Sequence, residues 1–254
     1  MLMIGPVWGA QADEDESKSD LLLVDKKNGF SGFFNENDDE EENADPLESM
    51  NRFFFEVNDK LYYWIAKPVN RVYTTVVPYD CRQCFGNFFD NIAAPIRVVN
   101  NLLQGKVADA GIDLSRFLIN STAGVLGLGD PALQAFGLEP RPEDFGQTLG
   151  VWGLGEGPYL YLPIVGPLTL RDSAGFIGGT LIHPATYVFS TYVEGVSYYS
   201  VEKINLLSLH PGLYEDMKRY SLDPYISVRQ VYLEYRRNKV QDEKVKDNII
   251  EKFR

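Results

Sequence analysis

Apolar residues in this chain recur mostly at helical spacing, and the first strong run opens at Asp45-Pro46-Leu47-Glu48. Asp45 suits an N-cap and Pro46 the first helical position, and Glu48 three residues after the cap completes a capping box. The helix predicted from there passes through Phe53, Phe54, Phe55, Val57, Leu61, Tyr62, Tyr63, Trp64 and Ile65 and ends before Pro68. Its apolar arc is too broad for a simple surface helix, and its crowded aromatics suit a membrane interface or a core equally. A second run spans Pro95 to Leu103, with Gly105 as a stop. A third runs from Ala108 to Val125, with Ile112, Phe117, Leu118 and Ile119 on its apolar side, and is broken by Gly124, Gly127 and Gly129. Asp130-Pro131 starts a short element through Phe136. The last helices are Val193–Leu209 and Pro224–Arg237, the latter with Tyr225, Val228, Val231, Tyr232 and Tyr235 opposite Arg229, Arg236 and Arg237. No clean alternation of strand type appears, so the fold reads as all-α. Tyr159–Leu162 is the one segment fit for a short strand or hairpin arm.

Charge is scarce between Phe145 and Val193. Those 49 residues hold three charges, Glu156, Arg171 and Asp172, where the chain average of 24% would give about 12. Of the 22 glycines, 14 fall between Gly111 and Gly179. Such a region is buried in protein or faces lipid, where small residues allow close helix approach. The longest uncharged run, Ser173 to Val193, is 21 residues, nominally enough to cross a bilayer. It contains three glycines and Pro184, so it is expected to break near His183-Pro184 into two pieces. Apolar segments too short to span fit amphipathic helices lying in one membrane leaflet. A glycine-rich soluble core is the other reading.

Composition divides the chain into four parts. Residues 1–12 are apolar and end in Ala10-Gln11-Ala12, the small-x-small pattern of a signal-peptide cleavage site, so export is expected; a basic n-region is missing. Residues 13–44 are acidic and poor in apolar side chains, the pattern of a flexible tether. Residues 45–237 form the folded domain, and 238–254 read as a charged, exposed tail. Of the formal net charge of −12, −10 lies between Asp13 and Asp45. The remainder is nearly neutral and offers no basic stripe, which argues against nucleic acid.

Candidate chemistry is sparse. Cys81 and Cys84 form a Cys-x-x-Cys whose flanks read as a turn, leaving a local disulfide or two spare thiols. His183 and His210 lie far from these cysteines and from each other, so no metal site is expected. There is no Gly-x-Ser-x-Gly elbow, and both histidines read as structural loop residues. Gly153–Gly157 lacks the Lys and Ser/Thr of a phosphate loop, and Pro158 blocks the helix one would need. Arg171-Asp172 suits a buried pair or cap. No catalytic residues and no cofactor are expected.

Several long motifs, in order, resemble the VacJ/MlaA family. They are Asp45–Arg52 with Phe55 and Asn58, then Arg116–Gly124 and Gly127–Ala132. Next come Glu143–Gly150, Gly157-Pro158-Tyr159, Leu162-Pro163, Gly166-Pro167 and Arg171-Asp172, and finally Asp223-Pro224-Tyr225 with Val228, Arg229 and Tyr232. The resemblance implies a ring-like helical bundle in the inner leaflet of the outer membrane, with glycine-rich loops around a central amphipathic channel. It implies removal of mislocalised phospholipid from the outer leaflet, with a trimeric porin and a soluble periplasmic lipid carrier as partners. A porin-associated scaffold, or a lipid hydrolase, are the alternatives. On this resemblance Asn58, Asn120, Ser121 and Thr122 become candidate polar contacts on the lipid path, and Gly124, Gly127 and Gly129 a flexible hairpin beside it. Typical members carry a cysteine directly after the signal peptide; no cysteine precedes Cys81 here. The expectation is therefore a ring held in the leaflet by apolar area.

Overall fold

The first helix does not stop at Pro68. In the computed structural model, which describes residues 45–189 and 191–252, α1 (Glu48–Leu61) runs into a π-helical turn (Tyr62–Ala66) and on into α2 (Lys67–Val76). Pro68 has no N–H to give, and its ring would crowd the carbonyl one turn back. The widened turn before it relieves this, with the Lys67 N–H donating to the Tyr62 carbonyl. Asp45 accepts from the Leu47 N–H at 3.0 Å one step ahead of the helix, whose N-cap position is Leu47 and carries no side-chain cap. Glu48 does not complete a capping box; it pairs forward with Arg52 at 2.7 Å. Segments 1–12 and 13–44 lie outside the described residues.

The cysteine flanks are not a turn either. Tyr79 to Leu103 is one 25-residue helix, α3, with Pro95 inside it. Pro78, extended at ψ 154°, sets the start, and Asp80 places a negative charge in the first turn. Cys81 and Cys84 project from this end as free, exposed thiols. Then follow α4 (Val107–Thr122), α5 (Pro131–Phe136) and α6 (Phe145–Val151). Asp130 and Asp144 cap α5 and α6 through the N–H groups of Leu133 and Gln147.

Tyr159–Leu162 is a strand, β1, paired antiparallel with β2 (Gly166–Thr169) in the register Tyr159 to Thr169. The uncharged run breaks where expected, into α7 (Leu170–Ile182) and α8 (Pro184–Val188). At the break the His183 ring nitrogen accepts the Ala185 N–H at 3.1 Å. Helix α9 (Tyr192–Leu209) opens with a full capping box from Thr191 and Glu194. Two further helices follow, α10 (Leu213–Tyr220) and α11 (Pro224–Lys252). The last overruns the expected boundary at 237, and Val240 is buried beside Gly150 of α6. Part of the expected tail is therefore packed helix.

Contacts between elements close into a circuit. Starting from α1, it passes through β1, β2, α7, α8, α3, α9 and α2, and α2 continues back into α1. Helix α4 is added against α3, α6 against α3 and α7, and α11 against α6 and β2. This is the ring-like helical arrangement expected. A tilted-ring aromatic cluster of Phe55, Tyr159, Tyr161, Tyr225 and Tyr232 with Val228 fixes α1, the hairpin and α11 together. Asn51 of α1 pins the hairpin, donating to the Tyr159 carbonyl and accepting from the Tyr161 N–H at 2.8 Å.

Polarity is inverted relative to a water-soluble bundle. Asn100, Asn101 and Asp113 are 0% exposed and Arg116 is 3%, whereas Val76 is 73% exposed, Ile177 62% and Leu118 54%. Burying polar groups this deeply requires partners. Asn101 donates to Asp113 at 3.1 Å, and Arg97 lies 3.7 Å from the same carboxylate. Burial outweighs these contacts and holds the Asp113 carboxyl above its ordinary range. No helix among the described residues is long and apolar enough to cross a membrane.

Candidate functional site

A cavity of about 460 Å³ lies between the α1–α2 helix and α9, closed at one side by α10. The spacing of its lining residues explains it. Asn58, Leu61, Ile65 and Val69 form one stripe on the first helix, and Ser200, Lys203, Ile204 and Leu207 form the facing stripe on α9. Leu213, Tyr214 and Met217 of α10 and Ile164 of the hairpin turn complete the walls. Its volume falls within the range of about 300–1,000 Å³ common for small-molecule sites.

Two polar devices hold the walls. Asn58 accepts from the Ile164 N–H at 2.6 Å and donates to the Leu162 carbonyl at 2.9 Å, fixing the hairpin turn at the cavity edge. Ile164 needs that support, because its φ of +68° is a region side chains rarely adopt. Helix α10 is tied down by Lys218 and the Tyr214 hydroxyl, both donating to Asp59 at 2.8 and 2.7 Å, and by Glu215 with Lys67 at 2.9 Å. Burial and the neighbouring Asp59 push the Tyr214 phenol far above its ordinary range, so it stays a donor. Burial alone would raise Glu215, but hydrogen bonds from Tyr62 and Lys67 hold it below its usual value. Among the lining residues Lys203 is the one permanent cation, and no carboxylate lines the cavity. Ser200 and His210, both lining it, are separated by about 15 Å of helix rise, too far for a nucleophile and its base.

A second polar lock joins the α6–α7 side to α11. Arg236 donates to Asp172 at 2.6 and 3.0 Å and to Asp144, and the Tyr232 hydroxyl donates to Asp172 at 2.7 Å. Arg171 and Asp172 are a buried pair, as read from sequence, at 3.3 Å. Partial burial favours the neutral acid at Asp144, but the Arg236 guanidinium overrides it and holds the carboxyl at about 2.

Of the sequence candidates, Asn58 lines the cavity; Asn120, Ser121, Thr122, Gly124, Gly127 and Gly129 gather at the far end of α4. Asn120 donates to Asp130 at 2.8 Å and accepts from the Ala132 N–H at 3.0 Å, locking α4 to α5. Ser121 accepts from Asn91 at 2.9 Å, while Thr122 bonds back to the Leu118 carbonyl. Gly127, at φ +88°, sits where a Cβ would lie 2.5 Å from Asn91, and the Gly129 N–H donates to the Gly124 carbonyl. The loop is clamped. Sequence reasoning missed Tyr62, Lys203, His210 and Tyr214. The spacing of 200, 203, 204 and 207 along α9 is the signal the sequence carries for the cavity.

The model of the MlaA lipoprotein family matches residues 43–239. The chain is 32% identical over 203 residues to the intermembrane phospholipid transport system lipoprotein MlaA of Escherichia coli, covering 77% of this chain and 78% of that one. An uncharacterised protein of Rickettsia bellii is 33% identical over 227 residues, covering 89% and 88%. A chain solved in work on the structural basis for maintenance of bacterial outer membrane lipid asymmetry superposes with a TM-score of 0.69 at 34% identity. That match covers 78% of this chain and 99% of the other. With the motifs, the ring of helices and the buried polar locks all in place, the chain belongs to the MlaA lipoprotein family.

Proposed function

We propose that this protein sits in the inner leaflet of the outer membrane, removes mislocalised phospholipid from the outer leaflet through its ring, and passes it to a soluble periplasmic carrier without covalent chemistry. The observation that carries this reading is the inverted polarity around an apolar cavity. Large apolar side chains are exposed, including Val72, Leu114, Leu118, Ile177 and Val188, while asparagines, arginines and aspartates are buried beside the aromatic cluster. In hydrocarbon there is no water to satisfy polar groups, so a protein lying there turns its charges inward. That no described helix is both long and apolar enough to cross a bilayer suits a protein held in one leaflet. Relatives named as phospholipid-transport lipoproteins supply the cargo class. A trimeric porin on the outer apolar face and a carrier below are the partners this reading calls for.

The test is outer-leaflet phospholipid in cells whose own family member has been deleted, read as lipid digested by externally added phospholipase. Expression of this chain should return the digestible fraction to the level of the intact strain. No decrease, with the protein present in the outer membrane, overturns the reading.

A further inference from the structure

We infer that the cavity between the α1–α2 helix and α9 takes an acyl chain of a phospholipid, with Lys203 meeting the lipid phosphate. This rests on the lipid-transport reading and names the contact within it. Size comes first. At about 460 Å³ the cavity is in the range of sites that take small molecules, room enough for an alkyl chain.

The chemistry of the walls agrees. Leu61, Ile65, Val69, Ile204 and Leu207 give an unbroken apolar trough along two facing helices, the shape of an extended alkyl chain. Charge on the lining is one-sided, since Lys203 has no carboxylate opposite it within the cavity. Its ion-pair partner is Glu202, the adjacent residue on α9, at 3.1 Å and outside the lining. A lysine stem can lie along apolar wall while its ammonium reaches the water side, and Lys203 keeps about a quarter of its side chain exposed. An anion on an alkyl chain is the complementary ligand. Lipid phosphate and the carboxylate of a free fatty acid share that description; the diacyl lipid is favoured because the exposed apolar surface around the ring gives its second chain somewhere to lie.

The full chain, purified from membranes in detergent, would be mixed with phosphatidylglycerol carrying a diazirine midway along one acyl chain, irradiated and mapped by peptide mass spectrometry. Adducts should fall on the trough, at Ile65, Val69, Ile204 and Leu207. Palmitate bearing the same diazirine should give about tenfold fewer adducts there at equal concentration, and Lys203→Glu should lower the phosphatidylglycerol adducts about tenfold, while Lys203→Arg keeps them within about twofold. Ala66→Trp, which fills the trough, should abolish them without loss of helical circular dichroism. Adducts confined to the outer apolar face of the wild-type protein overturn the inference, as does equal labelling by palmitate. Because the crosslink needs no variant, a misfolded mutant does not decide the matter. If the chain still lowers outer-leaflet phospholipid while the trough stays unlabelled, the acyl-chain site fails and the transport function stands.

Discussion

Arg236 of α11 and Asp172 of α7 are joined by two hydrogen bonds, at 2.6 and 3.0 Å, across 64 residues of sequence and with both side chains almost wholly buried. Without Arg236 the buried Asp172 carboxylate keeps only Arg171, at 3.3 Å, and the Tyr232 hydroxyl, which places the cost at the lower end of the range for a broken buried pair, about 3 kcal/mol. Arg236→Met should therefore destabilise the protein by that amount in denaturant unfolding. Arg237→Met, which removes a partly exposed pair with Glu156 at 3.2 Å, should shift it by less than about 1 kcal/mol.

The same arginine sets an acid limit. Asp144 is held at about 2 in the folded protein, against an ordinary carboxyl value of 3.8. A depressed carboxyl stabilises the fold above its unfolded pKa and loses that contribution as pH falls through the folded one. Stability should thus be level above about pH 5 and decline between pH 4 and 2 in this respect. Unfolding midpoints measured across that range should show a smaller acid decline in Arg236→Gln than in the wild type. Asp144 is nearly half exposed, so solvent screening tempers the size of the effect.

Gly127 separates backbone strain from steric exclusion. At φ +88° any side chain is strained, by roughly 1–2 kcal/mol, and here a Cβ would also lie 2.5 Å from Asn91. Gly105 has a similar φ of +80° with open space around it. Gly127→Ala should accordingly cost more than Gly105→Ala in thermal unfolding. Equal losses would mean that Asn91 yields freely and the α4 loop is not clamped.

Exposed leucines on α4 offer the reverse experiment. Leu118 is 54% exposed and Leu114 47%, so a charge there breaks little internal packing. In the leaflet model Leu118→Glu should keep its detergent-solubilised unfolding midpoint yet float less with liposomes, since placing a carboxylate in hydrocarbon costs about 2.5–3.5 kcal/mol. Unchanged flotation would place that face in water.

Much of this was readable in the residues. Asp130-Pro131 and Asp223-Pro224 start helices because the carboxylate and the fixed proline φ act locally. His183-Pro184 breaks one, and Tyr159–Leu162 is a strand, also for local reasons. What escaped depends on distant partners. Arg229 and Arg236 looked like a polar face of the last helix, yet both are buried, because Asp45, Asp144 and Asp172 arrive from elsewhere in the chain. Pro95 and Pro68 looked like boundaries because proline breaks helices on average, although the surrounding packing carries α3 through one and a π turn carries the first helix past the other. Of the site, Asn58 was found through a family motif, whereas the cavity needed two helices brought face to face.

The π turn at Tyr62–Ala66 also makes that helix unevenly tolerant of length change. A widened turn stores a surplus residue, and the chain beyond it keeps its direction despite the excess. Deleting one residue there would convert the turn to ordinary α-helix and leave Val69 and Tyr73 in place. The same deletion a few residues upstream, within α1, would swing the following side chains by about 100°. Within that helix, slack thus sits in the stretch that forms the cavity wall, so a one-residue deletion there should leave the ring intact where the same deletion in α1 would not.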